Sequence, residues 1–425
     1  MISFLWKGLL RDRSRSVFPF LTVVIGVLLT VLLYSWIMGA QTNFIDSSAK
    51  FSTGHVKIMS RAYALESDQM PNDLAYIGVE KLLQDLRREF PNMLWTPRIK
   101  FGGLLDIPDE QGETRAQGPV AGLGLDLFSE DSIEWDIFDL NKALVRGRMP
   151  KSPGEILLSE DFARSLGLRL GEIATLISST MYGSMTMHNY TVVGTIRFGV
   201  AALDRGAMIA DITGVQTALN MENAAGEILG YFDDYVYKNS EAETVMATFN
   251  SNYAEDNDEF SPVMKTLQLQ AGLSDLLEMF GMFSAVIIVV FLAAMSIVLW
   301  NAGLMGSLRR YGEIGIRLAI GESKGHLYRS LIAESLIVGF FGSLVGTALG
   351  LAVAYYLQVH GFDISSMMKN ASLMLSNVIR AKVTPFSYMI GFIPGFAATF
   401  LGTSIAGMGI YKRQTARLMK EMETQ

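Results

Sequence analysis

The sequence predicts an α-helical membrane protein with four transmembrane helices and a mixed α/β extracytoplasmic domain inserted between helices 1 and 2. Half of the 425 residues are hydrophobic and the mean hydropathy is +0.29, so the chain is more apolar than an ordinary soluble protein. Four apolar runs are long enough to cross a hydrocarbon layer, which takes about 20 helical residues. They predict transmembrane helices at 17–39, 273–303, 329–358 and 385–411.

Positive charge lies on one side of these predicted helices. Basic residues precede the first, cluster between the second and third, and follow the fourth. By the positive-inside rule, these three segments are cytoplasmic. They comprise an amphipathic helix at 1–16, which is alternatively only the flank of the first transmembrane helix, a loop at 304–328 and a tail at 412–425. The segments 40–272 and 359–384 then lie on the far side of the membrane.

The larger external segment, 40–272, predicts a mixed α/β domain. Runs such as "HVKIMSR" and "YTVVGTIRF" have the composition of strands, and "GVEKLLQDLRREFP" has the spacing of an amphipathic helix. The order of these patterns predicts two subdomains, in which 111–229 is inserted between 50–110 and 230–268. The chain contains no cysteine, so this domain must be held together by packing, for which it is large enough.

Several classes of function are disfavoured by composition and by the motifs that the chain lacks. The net charge of −7 argues against nucleic acid as a partner. There is no G-x-x-x-x-G-K-[ST] motif to bind nucleotide phosphates, so we expect no ATP hydrolysis and no enzymatic activity in this chain. The four histidines, His55, His188, His326 and His360, are too scattered to predict a metal site. We therefore expect no metal and no cofactor.

The third predicted transmembrane helix carries glycine at every fourth position. Gly342, Gly346 and Gly350 fall on one helix face, which allows a neighbouring helix to approach closely. General tolerance of glycine in membrane helices is the alternative, but three in register favour helix packing. Glu334, near the cytoplasmic end of this helix, is a rare ionisable residue within the spans, which makes ion-coupled transport an unattractive interpretation.

The segment before that helix is charged and rich in glycine. Residues 311–320 are weakly amphipathic, and Gly321 can end a helix there. Taken alone, this stretch is either a solvated loop or a contact with another protein. The string "RRYGEIGIRLAIGESKGHLYRSLIAESLIVGFFGSLVGTALG" resembles the signature of the FtsX/MacB-type permease domain of ABC transporters. The residues that match in register are Glu313, Ile314, Gly315, Arg317, Ala319, Gly321 and Glu334.

The resemblance extends over essentially the whole chain. "WKGLLRDRSRSVFPFLTVVIGV" is similar to the opening of that family, and "GRMPKSPGEILLSEDFARSLGLRLGE" is similar to its extracytoplasmic domain. It implies a permease of the bacterial inner membrane whose 304–328 loop forms a coupling helix on a separate ATPase dimer, which would hold ATP and Mg. The coupling residues implied are Arg310, Glu313, Ile314, Gly315, Arg317, Ala319 and Gly321. A second permease subunit, identical or homologous, completes such complexes.

Within the family, the chain is most similar to the lipoprotein-releasing LolC and LolE permeases, because it has no fused ATPase and has a short external segment at 359–384. This implies extraction of lipoproteins from the inner membrane for a periplasmic carrier. Two alternatives stay open. One is a MacB-like permease that exports peptides or macrolides with a membrane-fusion protein, and the other is an FtsX-like signalling permease that regulates a cell-wall enzyme.

Two sets of contact residues follow from the lipoprotein hypothesis. Candidates for contact with acyl chains are Val24, Leu28, Val31 and Leu32 of the first helix, Phe44 beyond it, and Phe280, Phe283, Ile287 and Phe291 of the second. All of these are alternatively plain lipid-facing residues. Candidates for docking of the carrier are Met181, Tyr182, Met185 and Met187 in "SSTMYGSMTMHNY", where LolC has a hairpin hook. The alternative is an ordinary hairpin whose methionines are buried.

Overall fold

The computed structural model describes residues 13–198, 201–256, 258–270, 272–308, 311–363 and 378–412. The predicted amphipathic helix at 1–16 lies outside these residues except for its last four. Most of the predicted cytoplasmic tail and residues 364–377 of the short external segment also lie outside them. The chain divides into two compact units. The membrane unit comprises Met1–Thr42, Met279–Phe362 and Ile379–Gln425, and the external unit comprises Asn43–Glu278 and Asp363–Val378.

The α-helices are numbered here in chain order. They are α1 (Arg13–Ser48), α2 (Arg61–Leu65), α3 (Val79–Glu89), α4 (Glu134–Ile137), α5 (Leu140–Ala143), α6 (Glu160–Ser165), α7 (Ala201–Asp204), α8 (Ile212–Leu219), α9 (Asn239–Ser251), α10 (Leu273–Leu308), α11 (Tyr311–Ala319), α12 (Lys324–His360), α13 (Ser387–Ile390) and α14 (Phe392–Lys412). A π-helical turn, Ala49–Thr53, continues α1.

The strands are also numbered in chain order. They are β1 (Val56–Ser60), β2 (Tyr76–Ile77), β3 (Met93–Pro108), β4 (Thr114–Leu125), β5 (Leu144–Gly147), β6 (Glu155–Ser159), β7 (Ile173–Ser179), β8 (Met185–Ile196), β9 (Ala207–Asp211), β10 (Ala224–Ala225), β11 (Glu227–Phe232), β12 (Pro262–Thr266), β13 (Phe362–Asp363) and β14 (Val378–Ile379).

Four helical segments are long and apolar enough to cross a membrane. They are Val17–Thr53, Leu273–Asn301, Lys324–His360 and Ser387–Ile405. Together with the α/β unit between the first and the second, they confirm the predicted fold class. The predicted fourth helix is interrupted at Gly391, because Pro394 has no N–H to donate to the carbonyl of Ile390.

The external unit is built on a ten-stranded sheet in which β3 is the central strand. The first half of β3 pairs with β11, which continues through β1 to β12. The second half pairs with both β4 and β7. In addition, β4 pairs with β9, β9 with β6, β6 with β8 and β8 with β7. Six strands therefore close into a ring, in the order β3, β4, β9, β6, β8 and β7. One sheet thus runs through both predicted subdomains, and their subdivision stays a prediction.

Both faces of the sheet are covered near β11. Ile228 and Phe232 belong to a large apolar cluster with Trp95 and Ile99. Leu229 and Tyr231 alternate with them and belong to a second cluster. Successive side chains of a strand point to opposite faces, so β11 is buried on both sides.

Candidate functional site

The helix α11 lies within the segment that the resemblance assigns to coupling with an ATPase. Gly321, just after it, has a positive φ of +101°. The N–H of Gly321 donates to the carbonyl of Leu318 at 3.1 Å, and that of Glu322 donates to the carbonyl of Arg317 at 3.0 Å. These two bonds form a Schellman motif, in which glycine is favoured at the left-handed position. The sequence therefore ends α11 sharply before Ser323 caps α12.

Several side chains at the end of α11 are exposed. Arg317, Ala319 and Ile316 are exposed, and Ile320 has an exposed fraction of 82 %. Gly315 is buried. Three predicted coupling residues have side chains outside the described part of the chain: Arg310, Glu313 and Ile314. The described surface of α11 and the residue after it thus combine a cation with exposed aliphatic groups, and its role in coupling stays a prediction.

The three glycines of α12 lie against α1. A Cβ atom at Gly342 would come within 2.9 Å of the Val23 side chain, and one at Gly350 within 2.9 Å of Val31. At Gly346 it would come within 2.7 Å of a backbone atom, the carbonyl oxygen of Val24. The spacing in the sequence indicated a packing face, and the structure gives its partner as α1.

This close packing involves part of the predicted acyl-contact set. Val24 and Val31 are buried on the face of α1 that meets α12. Their contact with acyl chains stays a prediction, and sequence periodicity alone does not show which face of α1 meets the glycines. Leu28 and Leu32 are half-buried and remain candidates.

The predicted contact residues of α10 are more accessible. Phe280, Phe283 and Ile287 are exposed and Phe291 is half-buried. Their spacing of three and four residues places them along one face of the helix. Phe44, by contrast, is buried in the external unit with Ala49, Leu267 and Leu273, and its contact with a substrate stays a prediction.

The segment "SSTMYGSMTMHNY" forms the end of the β7–β8 hairpin. Met181 is buried, whereas Tyr182, Met185 and Met187 are all more than 60 % exposed. One methionine of the hairpin, Met181, therefore packs into the core, as the alternative interpretation expects. The other three side chains are exposed to solvent.

A network of buried charges, which sequence reasoning missed, lies beside the end of α1. Arg98 and Glu134 are both fully buried, and two bonds of 2.7 and 2.8 Å join the guanidinium to the carboxylate. Glu227 accepts from both Lys57 and Lys100. Burial alone would raise the pKa of Glu227, but Lys100 and Lys57 lower it to about 2.

One signal in the sequence could have indicated this network. Arg98 and Lys100 are two residues apart in a strand whose other members are mostly apolar. In a strand they share one face, and two cations on the same face of a buried strand need anionic partners.

His55 is a second buried ionisable group, with an exposed fraction of 3 %. Its Nδ1 accepts from the N–H of Phe232 at 3.0 Å, and burial lowers its pKa to about 4. Asp234 opposes this shift and Lys238 adds to it. His55 is therefore neutral at pH 7, in agreement with an acceptor role for Nδ1.

Acidification is expected to destabilise the external unit through His55. An unfolded histidine binds its proton near pH 6.5, before the folded one does, so stability is constant above that pH and falls between pH 6.5 and 4. The expected loss is about 3 kcal/mol. Urea unfolding at pH 7 and 4.5 measures it, with His55→Asn as the comparison, because an asparagine oxygen keeps the acceptor without titrating. An equal loss in both proteins would contradict this account.

No group of three or more potential metal ligands is found among the described residues. The prediction that this chain holds no metal or cofactor stays a prediction.

Two family matches cover most of the chain. Residues 16–259 match the MacB-like periplasmic core domain and residues 285–415 match the FtsX-like permease C-terminal domain. The first match alone spans more than half of the sequence. The chain therefore belongs to this family and is an ABC transporter permease of the FtsX/MacB type.

Individual relatives are similar at modest identity. The macrolide export ATP-binding/permease protein MacB of Rhodopseudomonas palustris (strain BisB18) is 28% identical over 33% of this chain and 21% of its own length. The lipoprotein-releasing system transmembrane protein LolC of Haemophilus influenzae is 24% identical over 56% of this chain and 58% of its own length. The chain thus spans less than two thirds of either relative.

Among solved structures, the periplasmic region of MacB from Actinobacillus actinomycetemcomitans is similar to this chain. The alignment has 13% sequence identity and a TM-score of 0.35, and it covers 52% of this chain and 92% of that region.

Proposed function

We propose that this chain is the permease subunit of a mechanotransmitting transporter that extracts lipoproteins from the bacterial inner membrane and delivers them to a periplasmic carrier. ATP and Mg bind in a separate ATPase dimer, and a second permease subunit completes the complex. The observation that carries the transporter part is α11, a sharply ended helix with exposed Ile316 and Arg317, followed directly by exposed Ile320. Such a surface suits docking in a groove of another protein, where aliphatic side chains provide burial and a cation provides specificity.

The lipoprotein part has two supports. The similarity to LolC extends over more of this chain than the similarity to MacB does. Phe283 and Ile287 also present an apolar face of α10 with large exposed fractions, which suits contact with acyl chains. Tyr182, Met185 and Met187 then offer the carrier an adaptable apolar surface at the end of the β7–β8 hairpin.

Export of peptides or macrolides is the second candidate, favoured by the match to the MacB-like periplasmic core domain. Gentle purification in mild detergent, followed by mass spectrometry, separates the two. Co-purification of an ATPase with triacylated lipoproteins is the expected result. An ATPase with a membrane-fusion protein would favour export, and an ATPase with a cell-wall hydrolase would favour signalling. The absence of any ATPase would contradict the proposal.

Charge reversal on α11 is expected to uncouple the complex. In Glu313→Arg and in Arg317→Glu, we expect about a tenfold or greater loss of substrate-stimulated ATP turnover, because like charges then meet in the interface. The fold should be unaffected in Arg317→Glu, since Arg317 is exposed and exposed charges contribute little to stability. Turnover is measured in reconstituted complexes, with Arg88→Glu at an exposed position of α3 in the external unit as the matched control. Normal stimulation in both α11 variants would contradict the assignment of α11 to coupling.

A further inference from the structure

The carbonyl groups at the end of α1 are held by buried and half-buried side chains of the external unit. Helices leave their last carbonyls without partners inside the helix, and here the π-helical turn Ala49–Thr53 extends this end. The carbonyl of Ala49 also accepts from the N–H of Gly54 at 3.0 Å. Four side chains from the sheet and the segment after it donate to four of its carbonyls. The bonds are Tyr231 Oη to Ala49 O at 2.9 Å, Arg98 Nη1 to Lys50 O at 3.0 Å, Lys100 Nζ to Ser52 O at 3.3 Å and Gln270 Nε2 to Thr53 O at 3.2 Å.

We call Arg98, Lys100, Tyr231 and Gln270 the carbonyl clamp. Its two cations meet the negative end of the helix dipole, which is the favourable arrangement. Each cation also forms an ion pair with a buried carboxylate. Arg98 pairs with Glu134, and Lys100 pairs with Glu227. Tyr231 also accepts from Arg98 at 3.2 Å, so the members of the clamp constrain one another.

Burial of this much charge needs a reason beyond stability. Replacing a buried ion pair by apolar side chains is often neutral or stabilising, so packing alone does not call for Arg98 and Glu134. A π-helical turn is a place where a helix can change its backbone conformation. Hydrogen bonds from rigidly held side chains to the carbonyls of the turn restrict that change.

We propose that Arg98, Lys100 and Tyr231 are positioning residues that fix the end of α1 to the β3–β11 part of the sheet. A displacement of α1 is then passed to the external unit and is not absorbed within residues 49–53. This inference rests on the proposed transport function, in which ATP hydrolysis must act on the external unit. It adds the residues that make the connection stiff.

Tyr231→Phe and Lys100→Met test the proposal in the full chain with its ATPase. Each removes donors to the clamp with little change in volume, whereas Tyr190→Phe is the matched control, because Tyr190 Oη donates to the carbonyl of Gly214 elsewhere in the external unit. Hydrogen exchange of residues 43–53 is expected to accelerate about fivefold in Tyr231→Phe and about tenfold or more in Lys100→Met. It should not change in Tyr190→Phe.

The second measurement is the number of ATP molecules hydrolysed per triacylated lipoprotein released from proteoliposomes. This ratio should rise at least threefold in Lys100→Met and return towards that of the unmodified protein in Lys100→Arg, which keeps a cationic donor. Unchanged exchange in residues 43–53, acceleration throughout the external unit, or faster local exchange with an unchanged ratio would each overturn the proposal. If the unmodified complex releases no lipoprotein, the proposed substrate fails, and the exchange measurement still decides whether the clamp holds α1.

Discussion

Replacing Glu134 with alanine is expected to lower the free energy of unfolding of the external unit by about 3–5 kcal/mol. The substitution leaves Arg98 fully buried without its carboxylate, and the hydroxyl of Thr96 also loses its acceptor. Arg98 cannot avoid the cost of an unpaired buried charge by losing its proton. Burial alone would lower the pKa of Arg98, but Glu134 and Tyr231 raise it above its usual value, and even an ordinary arginine stays charged at pH 7.

Glu172→Ala is the matched control for this prediction. Arg115 also binds Glu172 through two bonds, at 3.0 and 2.7 Å, but this pair is partly exposed. Its removal should cost about 1 kcal/mol or less. Urea unfolding of the full chain in detergent, followed by the fluorescence of its five tryptophans, measures both variants, and two of these, Trp95 and Trp135, lie in the external unit. Equal losses would show that burial of the pair is not what makes Glu134 important.

The double variant Arg98→Met with Glu134→Leu distinguishes stability from transmission. Because it leaves no unpaired charge, it should recover most of the stability lost in Glu134→Ala. It also removes the Arg98 donor to the carbonyl of Lys50. Hydrogen exchange of residues 43–53 should therefore be faster than in the unmodified protein. A stable protein with a loosened α1 end is therefore the expected phenotype.

The parts of the fold that depend on composition over long windows were predictable. Four apolar helices and an α/β unit between the first two follow from run length and from alternation, which need no knowledge of tertiary contacts. The end of α11 at Gly321 followed from a local rule as well, because a glycine after a helix supplies the left-handed position that a Schellman motif needs.

The parts that depend on distant pairs were not predictable from one sequence. Glu134 lies in a short helix 36 positions after Arg98, and nothing local identifies it as the partner. The three glycines of α12 indicate a packing face without identifying its partner, so the sequence alone does not show that Val24 and Val31 pack against that face. Likewise, apolar character alone could not distinguish buried Phe44 from exposed Phe283.

Replacing Gly346 with alanine is expected to separate α1 from α12 and to destabilise the membrane unit by about 1–3 kcal/mol. The new Cβ would lie 2.7 Å from the carbonyl oxygen of Val24 and 2.9 Å from the Cβ of Val27. A backbone atom cannot move aside by changing rotamer, so the two helices must shift as a whole.

Two other glycines of the membrane unit make this a graded test. A Cβ at Gly339 would meet Thr399 at 3.3 Å, and one at Gly281 would meet no described residue within 4 Å. Alanine at Gly281 should therefore be neutral or slightly stabilising, since alanine is the better helix former by about 1 kcal/mol. The stability of Gly339→Ala should lie between those of Gly281→Ala and Gly346→Ala. Thermal unfolding in one detergent should thus rank the variants Gly281→Ala, Gly339→Ala and Gly346→Ala in order of decreasing stability. A Gly346→Ala protein as stable as Gly281→Ala would mean that α1 does not pack on α12 as described. Loss of ATP-driven release in Gly346→Ala but not in Gly339→Ala, where the added Cβ meets Thr399 of α14, would show that the contact between α1 and α12 is needed for function.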